Sequence, residues 1–237
     1  MSKDLNITPD DALLIVDVQN DFCPGGALPI KEGDQIIAVI NAWIKDFADH
    51  GSPVFSSRDW HPAHHLSFEP EGGKWPPHCL QDTKGAAFHR DLKLPTSVTI
   101  VTKGVRFDQD QNSAFDQTGL KVHLRRKGIR RVFIAGLALD VCVLATAMDA
   151  RKHGFEVVLI QDATRAVDAS SGHKALETMR TAGVRILEGR RHVDPTTPDA
   201  SLKAESEEPD VCLKAPASAE HQRFSDRDIP CDDGRAG

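Results

Sequence analysis

The chain has 237 residues and 40 % hydrophobic residues, enough to build the core of one domain of about 200 residues. Its formal net charge of −6 argues against nucleic acid as a partner, because proteins that bind nucleic acid usually present a basic surface. No apolar run approaches the roughly 18 residues that span a membrane, and the first residues lack the pattern of a signal peptide. The five cysteines are odd in number and scattered, which favours free thiols in the cytoplasm over a disulfide framework.

The first strand is predicted at residues 12–16, a continuous apolar run typical of a strand that is covered on both faces. Asp17 follows this strand at its carboxyl end, where open α/β sheets bind their ligands. The alternative role for Asp17 is that of a cap or turn residue. Asp34 is predicted to cap a helix that ends at Gly51, and residues 54–57 are predicted to form the second strand.

A segment rich in histidine follows the second strand. Asp59 and His61 are two residues apart, so both side chains can face the same way in an extended segment, and His78 follows further on. One carboxylate and two or three imidazoles suit zinc, iron or manganese. The alternative is a polar surface loop, but four of the eleven histidines lie within residues 61–78, which favours a metal site. The irregular stretch over 67–93 is long for a compact domain, and such loops are usually functional.

The third strand is predicted at residues 98–102, and Lys103 follows it in the same kind of position as Asp17. A lysine there is usually solvated, but in a cleft with a carboxylate and a thiol it would stabilise charge. Residues 107–117 are predicted to form a polar loop. A helix then ends at Gly128, and the fourth strand occupies residues 131–135.

Residues 136–143 are predicted to form a strand-to-helix turn that contains Cys142, with the helix ending at Gly154. In the first turn of a helix, unpaired backbone N–H groups and the macrodipole stabilise a thiolate, so we expect a lowered pKa for Cys142. The same N–H groups would also hold a developing oxyanion. The alternative is a buried structural cysteine, which is the commoner role of a free thiol.

Two further strands, at 156–160 and 184–187, flank a helix marked by apolar residues between 176 and 182. The alternation of strands and helices predicts a three-layer α/β/α fold with a six-stranded, mostly parallel sheet. This domain is predicted to span residues 1–198, and the polar composition of residues 199–237 predicts a tail that is disordered or loosely held.

The three candidate catalytic residues all follow strands of the predicted sheet. The carboxyl ends of parallel strands share one edge, so Asp17, Lys103 and Cys142 are expected to converge there.

With these residues in this order, the chain resembles the nicotinamidases of the isochorismatase-like cysteine hydrolase superfamily, over roughly residues 8–190. The matching segments are 15–22, 58–62, 75–79, 103–104 and 136–143. The resemblance implies a six-stranded parallel sheet flanked by helices. It also implies hydrolysis of nicotinamide to nicotinate and ammonia through a cysteine thioester, as part of NAD salvage. The segment beyond residue 199 has no counterpart in this pattern.

The resemblance assigns catalytic roles to matching positions. Cys142 would be the nucleophile, Asp17 the general base and then the acid, and Lys103 the cation that supports the charge. The Leu137–Ala138 peptide bond would be cis and would direct the Ala138 N–H, together with that of Cys142, at the oxyanion. The residues that would contact the substrate are Phe22, Trp75, Ala138 and Leu139.

The resemblance also implies one divalent metal ion, with zinc favoured over iron and manganese. Its matching ligands are Asp59, His61 and His78. Some members of the family use a further histidine, which matches His65, with the neighbouring His64 as the alternative.

Two rival functions stay open at this stage. The first is another hydrolase of the superfamily, acting on isochorismate, an N-carbamoyl compound or a ureidoacrylate-type amide. Such members generally lack the Asp-x-His…His ligand set. The second is a non-catalytic metal-binding or ligand-binding domain, which the three intact catalytic positions disfavour. Relatives differ in oligomeric state, so a homo-oligomer is left open, whereas nucleic acid and membranes are not expected partners.

Overall fold

Six strands and four α-helices alternate along residues 6–188, the part of the chain that the computed structural model describes. The strands are β1 (Asp11–Val16), β2 (Val54–Asp59), β3 (Thr99–Lys103), β4 (Arg131–Leu137), β5 (Glu156–Arg165) and β6 (Arg185–Leu187). The helices are α1 (Ile37–Asp49), α2 (Leu120–Arg126), α3 (Leu144–Lys152) and α4 (Ala169–Thr181). The predicted domain boundary at residue 198 and the predicted tail lie outside the described residues.

The strands form one sheet in the order β3-β2-β1-β4-β5-β6, and every neighbouring pair is parallel. The predicted α/β fold is thus confirmed. The chain fills one half of the sheet with β1 to β3 and then crosses to the other side of β1. The strand order therefore reverses between β1 and β4, and the crevice at the carboxyl ends of such strands is where this architecture binds ligands.

The two faces of the sheet bury two separate apolar clusters, because side chains alternate along each strand. On one face, Ile15 and Phe133 pack with Trp43 and Phe47 of α1, and the rings of Phe47 and Phe133 lie 5.2 Å apart. The other face is covered by α2, α3 and α4, which contribute Leu124, Ala147, Ala150, Leu176 and Met179. Helices on both faces explain why β1 and β4 read as continuous apolar runs. Within residues 6–188, every helix is too short or too polar to cross a lipid bilayer.

Several element boundaries differ from the sequence prediction. Lys103 is the last residue of β3, and β5 continues to Arg165, five residues beyond its predicted end. Asp34 does not cap α1: it lies inside a 3₁₀ turn, Gly33–Ile36, and α1 begins after that turn. Both strands continue into polar residues beyond their apolar runs, so the runs alone placed the strand ends too early.

The turn after β4 differs more substantially from the prediction. Residues Leu139–Val143 form a single π-helical turn, and α3 begins only at Leu144. Cys142 therefore lies in the π-helical turn and not in the first turn of an α-helix. Such turns are rare and occur frequently at functional sites.

Candidate active site

Asp17, Lys103 and Cys142 converge at the carboxyl edge of the sheet, as predicted. Asp17 directly follows β1 and adopts a left-handed backbone conformation, with φ of +48°. Lys103 ends β3, and Cys142 follows β4 in the π-helical turn. All three side chains are buried, with Asp17 and Lys103 fully inaccessible to solvent. Three polar groups held out of water at one place is an arrangement in which their charges interact strongly.

The ammonium of Lys103 is the centre of the arrangement. Its Nζ lies 2.8 Å from Asp17 Oδ2 and 2.6 Å from Asp59 Oδ1. The same Nζ donates to Cys142 Sγ at 3.4 Å. The ammonium thus donates hydrogen bonds to Asp59 and Cys142 and also lies at ion-pair distance from Asp17. Burial disfavours the charge on Lys103, but Asp17 and Asp59 outweigh it and raise its pKa well above the ordinary value, so the lysine stays charged.

One oxygen of the Asp17 carboxylate accepts a hydrogen bond, and the other has no hydrogen-bond donor among the described residues and is available as a base. Its Oδ1 accepts a hydrogen bond from Ser57 Oγ at 2.7 Å. Its Oδ2 lies at ion-pair distance from Lys103, but off the direction of a hydrogen bond, and no described residue donates a directed hydrogen bond to it. One Asp17 carboxylate oxygen lies within 4.8 Å of Cys142 Sγ. Because burial raises the pKa of Asp17 above its usual range, this carboxylate is a stronger base than an exposed aspartate.

The predicted lowering of the pKa of Cys142 is wrong. Burial raises the pKa of this thiol well above the ordinary value, and Asp17 and Asp59 add to the effect while Lys103 opposes it. Burial of the thiol and the two neighbouring carboxylates account for the difference. Cys142 is therefore a thiol at rest, and it must give its proton to a neighbouring base before it can act as a nucleophile.

Asp59, His61 and His78 form a second group directly beside Lys103. Each offers one ligand atom, and these atoms lie within 4.8 Å of one another. Nδ1 of His61 lies 2.8 Å from the carbonyl oxygen of Gly104, and Nδ1 of His78 lies 2.8 Å from that of Pro76. A ring nitrogen that donates to a carbonyl leaves Nε2 with its lone pair for a metal. Burial also lowers the pKa of His78, which favours the neutral ligating form.

Gly104 is required by the ring of His61. The backbone of Gly104 has φ of +72°, and a Cβ added there would lie 2.5 Å from Cε1 of His61. Only glycine lets the chain after Lys103 come close enough for its carbonyl to hold His61. The Lys-Gly pair is thus explained by the metal-binding group as much as by catalysis.

The structure distinguishes the two neighbouring histidines. His65 is fully buried, its ring centroid lies 4.3 Å from that of His61, and its Nδ1 lies 2.7 Å from Ser67 Oγ. Nε2 of His65 is buried and has no hydrogen-bond partner among the described residues. The side chain of His64 is instead 86 % exposed and faces Glu71. An orphaned buried imidazole nitrogen beside an Asp-His-His group fits a divalent metal ion, with His65 as the candidate further ligand.

A pocket opens between the two groups. Asp59, His61, His78 and Cys142 line its polar side. Its apolar wall consists of Phe22, Leu28, Ile30, Trp75, Ala138, Val141 and Val167. The pocket therefore offers aromatic and aliphatic contacts to a flat ring, with the thiol and the metal-binding group on its other side.

Ala138 has the placement that the resemblance implied. The Leu137–Ala138 peptide bond is cis, and Ala138 lines the pocket beside Cys142. The carbonyl of Ala138 accepts hydrogen bonds from the N–H groups of Val141 and Val143, at 3.1 and 3.0 Å. These bonds tie Ala138 to the turn that carries the thiol.

Leu139 departs from the prediction of substrate contact. It does not line this pocket: its side chain packs in the apolar cluster covered by α2, α3 and α4, and borders a separate cavity with Gln161 and Arg165. Ala138 and Leu139 are adjacent but point to different sides, and of these two residues Ala138 faces the pocket.

Some residues at the site had no signal in the sequence. Asp110, Gln111 and Asn112 line the pocket from the segment predicted only as a polar loop. Gln111 braces this loop, because its side chain donates to the carbonyl of Asp116 at 2.7 Å and accepts from the N–H of Val105 at 3.2 Å. Polar composition predicted a loop correctly, but it carries no information on what the loop faces.

The comparisons with known proteins agree with this geometry. A family model described as the isochorismatase domain matches residues 11–190. The nicotinamidase of Acinetobacter baylyi is 38 % identical over 202 residues, which cover 76 % of this chain and 92 % of that protein. The nicotinamidase/pyrazinamidase of Mycobacterium tuberculosis is 36 % identical over 182 residues, 74 % of this chain and 97 % of that protein.

Solved structures show the same relationship. The pyrazinamidase of Pyrococcus horikoshii in complex with zinc superposes with a TM-score of 0.74 at 45 % identity, over 76 % of this chain and all of that one. PnC1 from L. infantum in complex with nicotinate gives a TM-score of 0.72 at 41 % identity, over 78 % of this chain and 96 % of that one.

Proposed function

The chain belongs to the isochorismatase family, and on that premise we propose that it is a nicotinamidase, which hydrolyses nicotinamide to nicotinate and ammonia. The observation that carries the proposal is the placement of Lys103, whose Nζ contacts Asp17, Asp59 and Cys142 at once. This single ammonium joins a base, a nucleophile and a metal-binding carboxylate at the edge of a ring-sized pocket. The curated relatives at 36–38 % identity support the choice of substrate.

The first half of the reaction forms an acyl-enzyme. Oδ2 of Asp17 accepts the thiol proton, and Sγ of Cys142 attacks the carboxamide carbon. The N–H groups of Ala138 and Cys142 donate to the oxygen, which becomes negative as the C–S bond forms. Lys103 keeps its charge throughout. It therefore compensates the negative charge of the Asp17 carboxylate before the proton transfer and that of the Cys142 thiolate after it.

The second half releases the products. Asp17 returns its proton to the leaving nitrogen as the C–N bond breaks, so ammonia departs and a thioester to Cys142 remains. A water molecule then gives a proton to Asp17 and attacks the thioester carbon. Asp17 passes that proton to the sulfur as the C–S bond breaks, which frees nicotinate and restores the thiol.

Two features of the pocket, its aromatic side chains and its metal-binding residues, position the ring. Phe22 and Trp75 provide apolar contacts for its two faces. Asp59, His61, His78 and the further candidate His65 would hold one divalent metal, zinc by preference, which would supply a Lewis acid for the pyridine nitrogen. Fixing the ring at these points keeps the carboxamide carbon near Sγ of Cys142, which makes the attack effectively intramolecular.

The test is an assay of ammonia and acid release on a panel of amides, with and without a chelator. The panel contains nicotinamide, pyrazinamide, an N-carbamoyl amino acid and a ureidoacrylate-type amide. We expect nicotinamide to be hydrolysed to equal amounts of nicotinate and ammonia, pyrazinamide to be accepted, and activity to be lost on metal removal and restored by zinc. Preferred hydrolysis of an N-carbamoyl or ureidoacrylate substrate that is insensitive to chelator would favour the other amidohydrolases. Absence of hydrolysis of any amide would favour a binding protein.

We also propose that the reaction takes place in the cytoplasm as a step of NAD salvage. The odd number of scattered cysteines and the requirement for a reduced nucleophilic thiol support a reducing compartment. The proposed partner is the small-molecule substrate, with a homo-oligomer left open.

A further inference from the structure

The side chain of Gln19 is fully buried and every polar atom in it is used. Its Oε1 accepts a hydrogen bond from the backbone N–H of Asp59 at 2.8 Å. Its Nε2 donates to the backbone carbonyl of Asp59 at 2.7 Å and to that of Ala86 at 2.9 Å. One amide side chain therefore holds both backbone polar groups of Asp59. Gln19 lies in a segment of the family resemblance for which the proposed reaction gives it no role.

The Gln19 amide takes the place of the backbone hydrogen bonds that β2 would receive if β1 were longer. β1 ends at Val16, and the bond from the N–H of Asp17 to the carbonyl of Ser57, at 3.2 Å, is the last backbone bond from this segment to β2 within the described residues. Asp59 lies two residues further along β2, and on its other side it pairs with Lys103 of β3. The Gln19 amide has the donor and acceptor of a peptide group, so it extends the ladder by one position without extending the strand.

Asp59 needs such fixation because its two carboxylate oxygens have different neighbours. Oδ1 accepts from Lys103 at 2.6 Å, and Oδ2 lies 3.7 Å from Nε2 of His61. A rotation of the Asp59 backbone would move Oδ2 away from the histidines even while Lys103 held Oδ1. The bond from Gln19 to the carbonyl of Ala86 also anchors the irregular segment that follows His78.

We propose that Gln19 is a positioning residue of the metal site, which fixes the backbone of Asp59 so that its carboxylate meets the metal together with His61 and His78. The proposal rests on the metal site of the proposed function. Groups that orient a ligating residue from outside typically contribute ten- to a hundred-fold to metal affinity or activity.

The test is the zinc affinity of purified Gln19→Met, measured by competition with a chromophoric chelator on protein shown to be folded by circular dichroism. Methionine is close in size but removes both hydrogen-bonding groups. We expect zinc binding to weaken about ten- to a hundred-fold, and kcat at saturating zinc to recover more fully than the affinity. Zinc affinity equal to that of the wild type in a folded variant would overturn the proposal.

The matched control is Asn20→Ala. Asn20 is the next residue, and its side chain donates to the exposed carbonyl of Lys84 at 2.7 Å, away from Asp59. Loss of that bond is expected to leave zinc affinity unchanged, so an equal weakening in both variants would also overturn the role of Gln19. If Gln19→Met does not fold, Gln19→Asn, which withdraws the same amide by one methylene, takes its place. Failure of both to fold would reduce Gln19 to a folding residue and overturn the proposal.

The same titration separates this inference from the proposed function. If the wild-type protein binds no zinc and its activity is unchanged by a chelator, the metal site itself is refuted. A wild-type protein that binds zinc and hydrolyses nicotinamide, beside a Gln19→Met protein of equal affinity, refutes the positioning role alone.

Discussion

Replacement of Cys142 by alanine is expected to reduce nicotinamide hydrolysis by about 10⁴-fold or more, since removal of a nucleophile from a covalent mechanism leaves only the effect of binding. The described part of the chain holds two other free cysteines, Cys23 and Cys79, and neither lines the pocket. Burial, with Asp34, raises the pKa of Cys23 to about 11. Burial likewise raises the pKa of Cys79, strongly. Alanine at position 142 removes one sulfur next to Lys103 and leaves the metal-binding residues in place.

The measurement is ammonia release by Cys142→Ala, with zinc content and the thermal unfolding curve determined on the same preparation. Cys23→Ala is the matched control, because Cys23 is also a buried free thiol but lies in the apolar cluster packed against α1. We expect it to retain hydrolysis. Turnover by Cys142→Ala at the wild-type rate would contradict the role of the thiol.

Replacement of Lys103 by methionine is expected to have the second large effect, on stability as well as activity. The ammonium is the counter-charge of two buried carboxylates, at 2.8 Å from Asp17 and 2.6 Å from Asp59. Removing one partner of a buried ion pair leaves an uncompensated charge in a medium of low dielectric constant, which typically costs about 3–5 kcal/mol. Hydrolysis is expected to fall at least a hundred-fold, because the thiolate and the oxyanion lose their nearest cation.

Urea unfolding of Lys103→Met at neutral pH measures the loss of stability. The control is Lys45→Met on α1, where an exposed lysine pairs with Asp49 at 2.6 Å. Both variants remove one lysine from an ion pair, but only one pair is buried, so the control is expected to unfold at the wild-type urea concentration. Equal stability of the two variants would show that Lys103 does not compensate buried charge.

Much of this architecture could be predicted from the sequence, because apolar runs report burial directly. The runs at 12–16 and 131–135 identified β1 and β4, the strands on either side of the switch point. In a parallel sheet, the residues that follow the strands lie at one edge. The convergence of Asp17, Lys103 and Cys142 could therefore be predicted from the sequence alone. The Asp-x-His pair was equally readable, since a spacing of two puts both side chains on one side of a strand end.

What the sequence could not supply depends on which groups surround a residue in space. The pKa of Cys142 was predicted from its place in a presumed helix turn, yet burial and two carboxylates from distant segments determine it. The direction of Leu139 follows from the π-helical turn, which has no sequence signature. Gln19 has the pattern of an ordinary polar residue after a strand. Asp59 lies 40 residues further along the sequence, so the bonds of Gln19 to its backbone are visible only in the folded chain.

Hydrolysis through Cys142 requires that the carboxamide carbon become bonded to this one sulfur. The most direct test mixes the zinc-loaded protein with nicotinamide, quenches the reaction with acid during turnover, and maps acylated peptides by mass spectrometry. We expect a nicotinoyl group on Cys142 that appears before the steady state and disappears when substrate is exhausted. Steady production of nicotinate with no acyl group on Cys142 at any quench time, or with the acyl group on another residue, would contradict it.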